Sequence, residues 1–218
     1  FEPLRDLVEN IYTNEYLEML LPKWNAAIQE PDAFMALPLQ RDFYARNLKN
    51  AKERTVVIIS DAMRYEVGKE LFRRMQDDPK CTAKLEVQLS VLPSYTRLGM
   101  AALLPHAELT MMDDFKVLID GMPCDNLAER EAVLHKYSKD STCVQFDNIK
   151  SLKVVELRSI FTGKQVVYVY HNQIDARGDK PNTEDEVFVA CQEAIAEIID
   201  LIRRISTSAN TYRFIVTA

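Results

Sequence analysis

The chain has 218 residues, enough for one large α/β domain with an appendage. Its hydrophobic fraction of 47% and charged fraction of 28% are typical of a globular domain. The net charge of −6 argues against a broad basic surface for nucleic acid, so the sequence does not decide whether the protein contacts DNA directly. No apolar run approaches the ~18 residues of a membrane span. The four cysteines form no CxxC pair, which favours a reducing, cytoplasmic setting.

The first part of the chain is predicted to be helical. Apolar residues recur at helical spacing from Leu4 to a predicted break at Pro22, and a further break is predicted at Pro31. Strands that alternate with helices are absent from this pattern. We therefore interpret residues 1–53 as an N-terminal helical segment.

Strands and helices alternate from Arg54 onward. Strands are predicted at 55–60, 85–91, 142–146, 166–171 and 213–217, helices at 64–76, 96–104, 113–120, 126–137, 151–160 and 184–205, and a loop at 172–183. Such alternation implies right-handed crossovers between parallel strands. The expected fold class is α/β, with a mostly parallel sheet flanked by helices in a domain that covers residues 54–218.

Polar residues follow several predicted strands at the point where each strand ends. The apolar run 55–60 leads directly into Asp61, and the run 166–171 leads to Asp175 and Asp179. A hydroxyl, Thr96, stands at the turn into a helix. Ligands of open α/β sheets bind beyond the carboxyl ends of the strands. Carboxylates and a hydroxyl at one edge therefore suggest a metal-dependent site.

Each of these residues also has a structural interpretation. Asp61 can simply cap the helix that follows it. Thr96 is more often an N-cap, and Ser94 is a rival hydroxyl. A turn-rich loop explains the two later carboxylates, and a lone histidine such as His171 usually has a structural role. The residues by themselves leave these alternatives open.

Three segments taken together resemble the PglZ domain of the alkaline phosphatase superfamily. They are Ser60–Glu66, Leu92–Thr96 and Tyr170–Asp179. The resemblance covers about residues 54–218 and implies an alkaline-phosphatase-like core. It also implies phosphatase or phosphodiesterase chemistry on a phosphate-ester substrate, with two divalent metal ions, commonly zinc.

The resemblance assigns metal-ligand roles to three carboxylates and a nucleophilic role to one hydroxyl. Asp61 would hold one metal ion, and Thr96 would bridge to it as the nucleophile. Asp175 would hold the other metal ion. Asp179 stands where relatives commonly have a histidine ligand, so the identity of the metal is open.

Two further expectations follow from the resemblance. Arg64 and His171 would contact the substrate or support the metal ligands. The superfamily also has a later Asp-His pair, which we expect to follow Ala218. We therefore expect the 218-residue piece to bind metal weakly or to be inactive.

The resemblance implies a role in bacteriophage-exclusion (BREX) defence of bacteria, beside a DNA methyltransferase and large ATPases. An alternative is a non-catalytic scaffold or interaction module of the same complex, which the histidine-poor loop at Asp179 favours. A nucleotide-binding Rossmann domain is a weaker interpretation. The chain has neither a GxGxxG after its first strand nor a GxxxxGK[ST] motif.

Overall fold

The computed structural model describes residues 2–30, 36–179 and 186–218. The chain divides into two compact units, Phe1–Pro38 and Leu39–Ala218. Each unit is considered by itself. In the described part of the chain, every helix is too short or too polar to traverse a lipid bilayer.

The first unit is helical from Glu2 to Ala27, as its apolar spacing predicts. Helix α1 (Glu2–Asn10) leads through a π-helical stretch (Ile11–Leu17) into helix α2 (Glu18–Ala27). The predicted break at Pro22 is wrong, because this proline lies inside α2. A proline removes one ladder hydrogen bond, and a helix can bend to accommodate it instead of ending.

The second unit contains a large sheet, a small sheet and the helices that cover them. In chain order its elements are α3 (Phe43–Asn47), β1 (Thr55–Ser60), α4 (Tyr65–Gln76), α5 (Thr96–Ala102), β2 (Leu109–Met111), β3 (Val117–Ile119), β4 (Met122–Pro123), α6 (Leu127–Tyr137), β5 (Ser141–Gln145), α7 (Phe146–Ile149), α8 (Val154–Phe161), β6 (Val166–His171), α9 (Gln173–Gly178), α10 (Val187–Ala209) and β7 (Arg213–Thr217). A 3-10 turn, Gln40–Asp42, precedes α3.

The large sheet is parallel throughout and has the strand order β5-β6-β1-β7. This confirms the predicted α/β class with a parallel sheet flanked by helices. Every residue of β1 and β6 is buried, as expected for central strands covered on both faces. Their register pairs Thr55 with Val166 and Ser60 with His171, so the two strands end level with each other.

Alternate side chains of β1 build two separate cores, one on each face of the sheet. Val57 and Ile59 pack with apolar residues of α5, α6 and the small sheet. Val56 and Ile58 pack with apolar residues of α8 and α10. Because side chains alternate along a strand, the residue that follows Ser60 returns to the α5 and α6 side.

The predicted strand at 85–91 is wrong. Only Leu89 forms an isolated bridge, with Leu39, and the segment makes no ladder. It is tied to the end of β7 by side chains instead, as where Gln88 Nε2 donates to Thr217 Oγ1 at 3.0 Å. An alternating apolar pattern predicts an extended backbone with one apolar face. It does not predict whether that backbone forms hydrogen bonds with a neighbouring strand.

The predicted helix at 113–120 is also wrong, because this region belongs to the antiparallel sheet β2-β3-β4. Strand β3, Val117–Ile119, turns into β4 through Asp120 and Gly121, whose φ angles are 49° and 77°. An Asp-Gly pair with both φ angles positive is the favoured two-residue hairpin turn. The preference of this dipeptide for a hairpin turn determines the local structure here, and the short helical pattern of apolar residues does not.

The predicted loop at 172–183 contains helix α9 in its described part. Ile174 is buried, and α9 packs on α10. Residues 180–185 lie outside the described residues, and they include residue 184, where the last helix is predicted to begin. Helix α10 begins at Val187, and its buried residues include Ala194, Ile195, Ile198 and Ile205.

Asp120, in the turn between β3 and β4, links the small sheet to α6 and to the segment before β2. Its carboxylate accepts hydrogen bonds from the Tyr137 hydroxyl and from the backbone N–H groups of Ala107 and Glu108. Burial would raise the pKa of Asp120, but these hydrogen bonds and the charge of Lys136 outweigh it and lower the pKa to about 2. The folded state therefore favours the ionised form.

We predict that Asp120→Asn destabilises the protein by about 2 kcal/mol near neutral pH, because it removes the charge that the donors stabilise. The folded pKa lies below the ordinary 3.8. The stabilisation is therefore present above 3.8 and is lost as the pH falls toward 2. Urea unfolding at several pH values measures it, with exposed Asp113→Asn as the control. A difference between Asp120→Asn and wild type that does not shrink below pH 3.8 would contradict this account.

Candidate functional site

A cavity of about 340 Å³ lies at the carboxyl ends of the strands of the large sheet. Its wall consists of Asp61, Thr96, Met100, Asp125, Asn126, Leu127, Arg130, Gln145, Tyr170, His171 and Asn172. The residues come from the ends of β1, β5 and β6 and from α5, α6 and the segment before α6. This is the edge at which open α/β sheets bind their ligands.

Asp61 is held in place by the pairing of β1 with β6. Its backbone N–H donates to the His171 carbonyl at 2.8 Å, one step beyond the last residue of the ladder. The chain then turns sharply, with the Met63 N–H donating to the Ser60 carbonyl and Ala62 at a φ of 63°. A left-handed alanine is strained, and such strain is often found at functional sites.

The carboxylate of Asp61 is in an unfavourable environment for a charge. Burial raises the pKa of Asp61, and the nearby negative charge of Asp175 raises it further. A backbone hydrogen bond from Ala62 and the positive charge of Arg130 oppose the rise without cancelling it. The negative charge of Asp175 thus disfavours ionisation of Asp61.

Thr96 is the first residue of α5 and is exposed at the wall of the cavity. Leu98 and Met100 anchor the same helix in the core, which fixes its position. The rival hydroxyl, Ser94, does not line the cavity. Thr96 and Asp61 are thus brought to one site from segments far apart in the chain.

The cavity wall also includes residues that the sequence analysis did not identify. Arg130 extends from α6, its Nε donates to the Cys124 carbonyl at 3.0 Å, and its Nη2 donates to the Asp125 carbonyl at 3.1 Å. Its guanidinium lies 4.8 Å from the centre of the Tyr170 ring. The predicted helix at 126–137 located Arg130 on a helix, but no sequence signal indicated which face would meet the sheet.

His171 has both ring nitrogens engaged. Nδ1 lies 3.1 Å from Ser60 Oγ, and Nε2 lies 3.1 Å from Glu197 Oε2. Because a carboxylate only accepts, Nε2 carries the hydrogen and Nδ1 accepts from the Ser60 hydroxyl. Burial lowers the pKa of His171, although the hydrogen bond and charge of Glu197 oppose this. The ring therefore ties the ends of β1 and β6 to α10, and its contact with substrate stays a prediction.

The other predicted site residues lie around the cavity and not in its wall. Asp175 is on α9, near Asp61. Asp179 is exposed at the end of α9, where its N–H donates to the Asp175 carbonyl. Arg64 occupies the N-cap position of α4 without a capping hydrogen bond from its side chain, and its positive charge opposes the rise that burial causes in the pKa of Cys191 on α10.

The residues present meet part of the requirement for a metal site. Among the described residues, no three His, Cys, Asp or Glu side chains lie together as a ready ligand set. The charge of Asp175 raises the pKa of Asp61 in addition to burial, and a cation bound by these carboxylates would neutralise that charge. Such an oxygen pair fits a hard divalent ion that completes its coordination with water and phosphate, whereas zinc sites usually include nitrogen or sulfur ligands.

Comparison with known proteins agrees with this arrangement of strands and site. The domain described as "BREX system PglZ alkaline phosphatase-like domain" matches residues 42–218. The chain belongs to this PglZ family. The match begins in the 3-10 turn before α3 and includes the whole large sheet.

Two curated relatives match almost the entire chain. It is 38% identical to "Alkaline phosphatase-like protein PglZ" of Bacillus cereus (strain H3081.97), over 100% of the chain and 26% of the relative. It is 36% identical to "Alkaline phosphatase-like protein BrxZ" of Escherichia coli O9:H4 (strain HS), over 99% of the chain and 26% of the relative. The chain thus spans about a quarter of the length of the relatives it matches. No solved structure matches it significantly.

We predict that Asp61→Asn raises the melting temperature by a few degrees at pH 8 with chelator present, because it removes a buried, repelled charge. The folded pKa is raised above the ordinary 3.8, so ionised Asp61 costs stability above the folded pKa. The gain should shrink as the pH falls through the folded pKa. Calorimetry at several pH values measures this, with exposed Asp179→Asn as the control. A variant less stable than wild type at pH 8 would be inconsistent with it.

Proposed function

We propose that this domain is a metal-dependent phosphohydrolase, acting on phosphate monoesters or diesters. The observation that carries the proposal is the convergence of Asp61, Thr96 and Arg130 on one cavity at the carboxyl edge of the sheet. Phosphoryl transfer requires a nucleophile and positive charge at the phosphoryl oxygens, because the protein's main tasks are positioning and electrostatic stabilisation. Membership of the PglZ family supports the same chemistry.

Thr96 is the proposed nucleophile. Thr96 is exposed and lines the cavity, and its helix is anchored in the core, so the residue is held at this edge of the sheet. Attack of the Thr96 oxygen on phosphorus would form a threonine–phosphate bond and break the bond from phosphorus to the ester oxygen, which would take up the Thr96 proton and leave as the alcohol. Water would then hydrolyse the threonine–phosphate bond, which would release phosphate and restore the hydroxyl. The ionised carboxylate of Asp61 lines the same cavity and would bind a cation beside the Thr96 oxygen.

Arg130 is the proposed counter-charge for the phosphoryl oxygens. Its bonds to the Cys124 and Asp125 carbonyls use two of its five N–H donors and hold the guanidinium in place. A fixed guanidinium binds phosphate through paired, charge-assisted hydrogen bonds. Arg64, which the resemblance proposes for substrate contact, would act from outside the cavity wall.

Asp61 and Asp175 are the proposed ligands of a divalent cation, and Asp179 is a proposed further ligand. When bound, the cation would lower the pKa of a coordinated hydroxyl and neutralise charge on the phosphoryl group. Two zinc ions are the arrangement that the family resemblance implies. The mutual repulsion of Asp61 and Asp175 supports binding of at least one cation.

We predict that, in the full-length protein, Thr96→Ala lowers turnover of bis(4-nitrophenyl) phosphate by roughly 10³-fold, because the attacking oxygen is lost. Thr96→Ser keeps a hydroxyl and should retain part of the activity. Ser94→Ala is the matched control, since Ser94 lies two residues away and outside the cavity wall. Full activity in Thr96→Ala would exclude Thr96 as the nucleophile.

We predict that Asp61→Asn and Asp175→Asn each weaken Mn²⁺ or Zn²⁺ binding by at least about tenfold, the cost typical of losing even an outer partner of a metal ligand. Isothermal titration calorimetry of the whole chain measures the affinities. Asp77→Asn, on the exposed end of α4, is the control. A loss of affinity in Asp179→Asn would add Asp179 to the ligand set. Equal affinities in all four variants would exclude this site.

The wider role that we propose is as a component of a BREX defence system against bacteriophage. The proposed partners are other BREX components, including a DNA methyltransferase and an ATPase, and the support is family membership. A cytoplasmic setting is part of this proposal. It agrees with the four cysteines, all of which lie among the described residues and are free thiols.

A scaffold without catalysis is the second candidate. The observation that favours it is the lack of a preformed group of three metal-ligating side chains among the described residues. On this account the cavity persists as part of the fold. Metal binding and turnover would then be absent from wild type as well as from the variants.

A further inference from the structure

Two buried polar atoms in residues of the cavity wall have no hydrogen-bond partner among the described residues. They are the hydroxyl of Tyr170 and Oδ1 of Asp125. Buried polar atoms are nearly always hydrogen-bonded, because an unpartnered one loses its bonds to water and gains nothing in return. Both atoms belong to residues of the same cavity, and Arg130 contacts both residues.

Tyr170 differs in this respect from the tyrosine two residues before it. Tyr168 and Tyr170 lie on the same face of β6, and both are at least 96% buried. The Tyr168 hydroxyl donates to the Leu103 carbonyl at 2.7 Å. The Tyr170 hydroxyl is near the Cys143 thiol and Arg130, but neither is in hydrogen-bonding geometry with it.

Asp125 presents an acceptor rather than a donor. Its Oδ2 is 3.7 Å from Nη1 of Arg97, a loose and partly exposed ion pair. Its Oδ1 is buried and unpartnered. An ionised carboxylate has only acceptor capacity, so a partner for Oδ1 must be a hydrogen-bond donor.

We infer that Tyr170 and Asp125 form a hydrogen-bonding subsite for the organic part of a phosphate ester, and that it selects esters with a hydroxyl or amine close to the phosphoryl group. The inference rests on the proposed phosphohydrolase site, where Arg130 binds the phosphoryl oxygens. The Tyr170 hydroxyl would donate to an oxygen of the ester. Asp125 Oδ1 would accept from the hydroxyl or amine.

The subsite would discriminate between ligands of nearly equal size. A buried acceptor left unpartnered penalises a ligand that has a methyl group in place of the donor. The sharpest pair of probes is 2-hydroxyethyl phosphate and propyl phosphate, which differ in one terminal group. Inorganic phosphate has no organic part, so its affinity measures only the binding of phosphoryl oxygens by Arg130.

The experiment measures the affinity of the whole chain for these three probes by calorimetry, in wild type, Tyr170→Phe and Asp125→Ala. We expect wild type to bind 2-hydroxyethyl phosphate about tenfold more tightly than propyl phosphate. Asp125→Ala should abolish that preference and leave binding of inorganic phosphate within about twofold. Tyr170→Phe should weaken both esters by about fivefold.

Thermal melting of the ligand-free chain separates a binding role from a structural one. Tyr170→Phe removes a hydroxyl without a partner, so its melting temperature should equal or exceed that of wild type. Tyr168→Phe is the matched control, because it removes a hydroxyl that has a partner. It should lower the melting temperature and leave the affinities for all three probes unchanged.

Two results would overturn the inference while leaving the proposed function intact. The first is that the wild type binds inorganic phosphate but binds 2-hydroxyethyl phosphate and propyl phosphate with equal affinity. The other is a lower melting temperature for Tyr170→Phe with unchanged affinities, which would mean that the hydroxyl stabilises the fold. Failure of wild type to bind inorganic phosphate would instead refute the proposed function and the inference with it.

Discussion

The parallel pairing of β1 with β6 is the constraint on which the site depends. Its register sets Ser60 opposite His171, so the two strands end together and the His171 carbonyl accepts the N–H of Asp61. The His171 ring then bonds to Ser60 on one side and to Glu197 of α10 on the other. Alternation along β1 turns Asp61 toward the opposite face, where α5 and α6 close the cavity. A shift of one residue in this register would exchange the two faces and separate the site residues.

Several residues around the cavity lower the stability of the folded protein when no ligand is bound. Asp61 is a carboxylate that burial and Asp175 both disfavour, and the turn after it holds Ala62 in a left-handed conformation. Tyr170 and Asp125 each bury a polar atom without a partner. A sequence selected only for stability would remove these features, because each costs free energy in the absence of a ligand. Their concentration around one cavity is what a binding site for a charged, hydrogen-bonding molecule requires.

The sequence predicted best those parts of the fold that local patterns determine. The bounds of β1 agree with the prediction at both ends, because an uninterrupted apolar run followed by Asp61 has few alternatives. Segment 85–91 alternates between apolar and polar residues, as a strand can, but it forms no ladder with a neighbour, because strand pairing is a property of the tertiary structure. Of the site, sequence analysis predicted Asp61 and Thr96 because they follow recognisable segments. Arg130 was missed because its position depends on how α6 packs against the sheet.

The central claim is that the Asp61 edge of the sheet is a cation-dependent phosphoryl-transfer site. Crystals of the chain grown with Mn²⁺ and vanadate, which mimics the transferring phosphoryl group, test it most directly. The account predicts an anomalous manganese peak between the carboxylates of Asp61 and Asp175 and vanadium bonded to the oxygen of Thr96. Manganese bound elsewhere, or a cavity that holds neither ion at saturating concentrations, would contradict it.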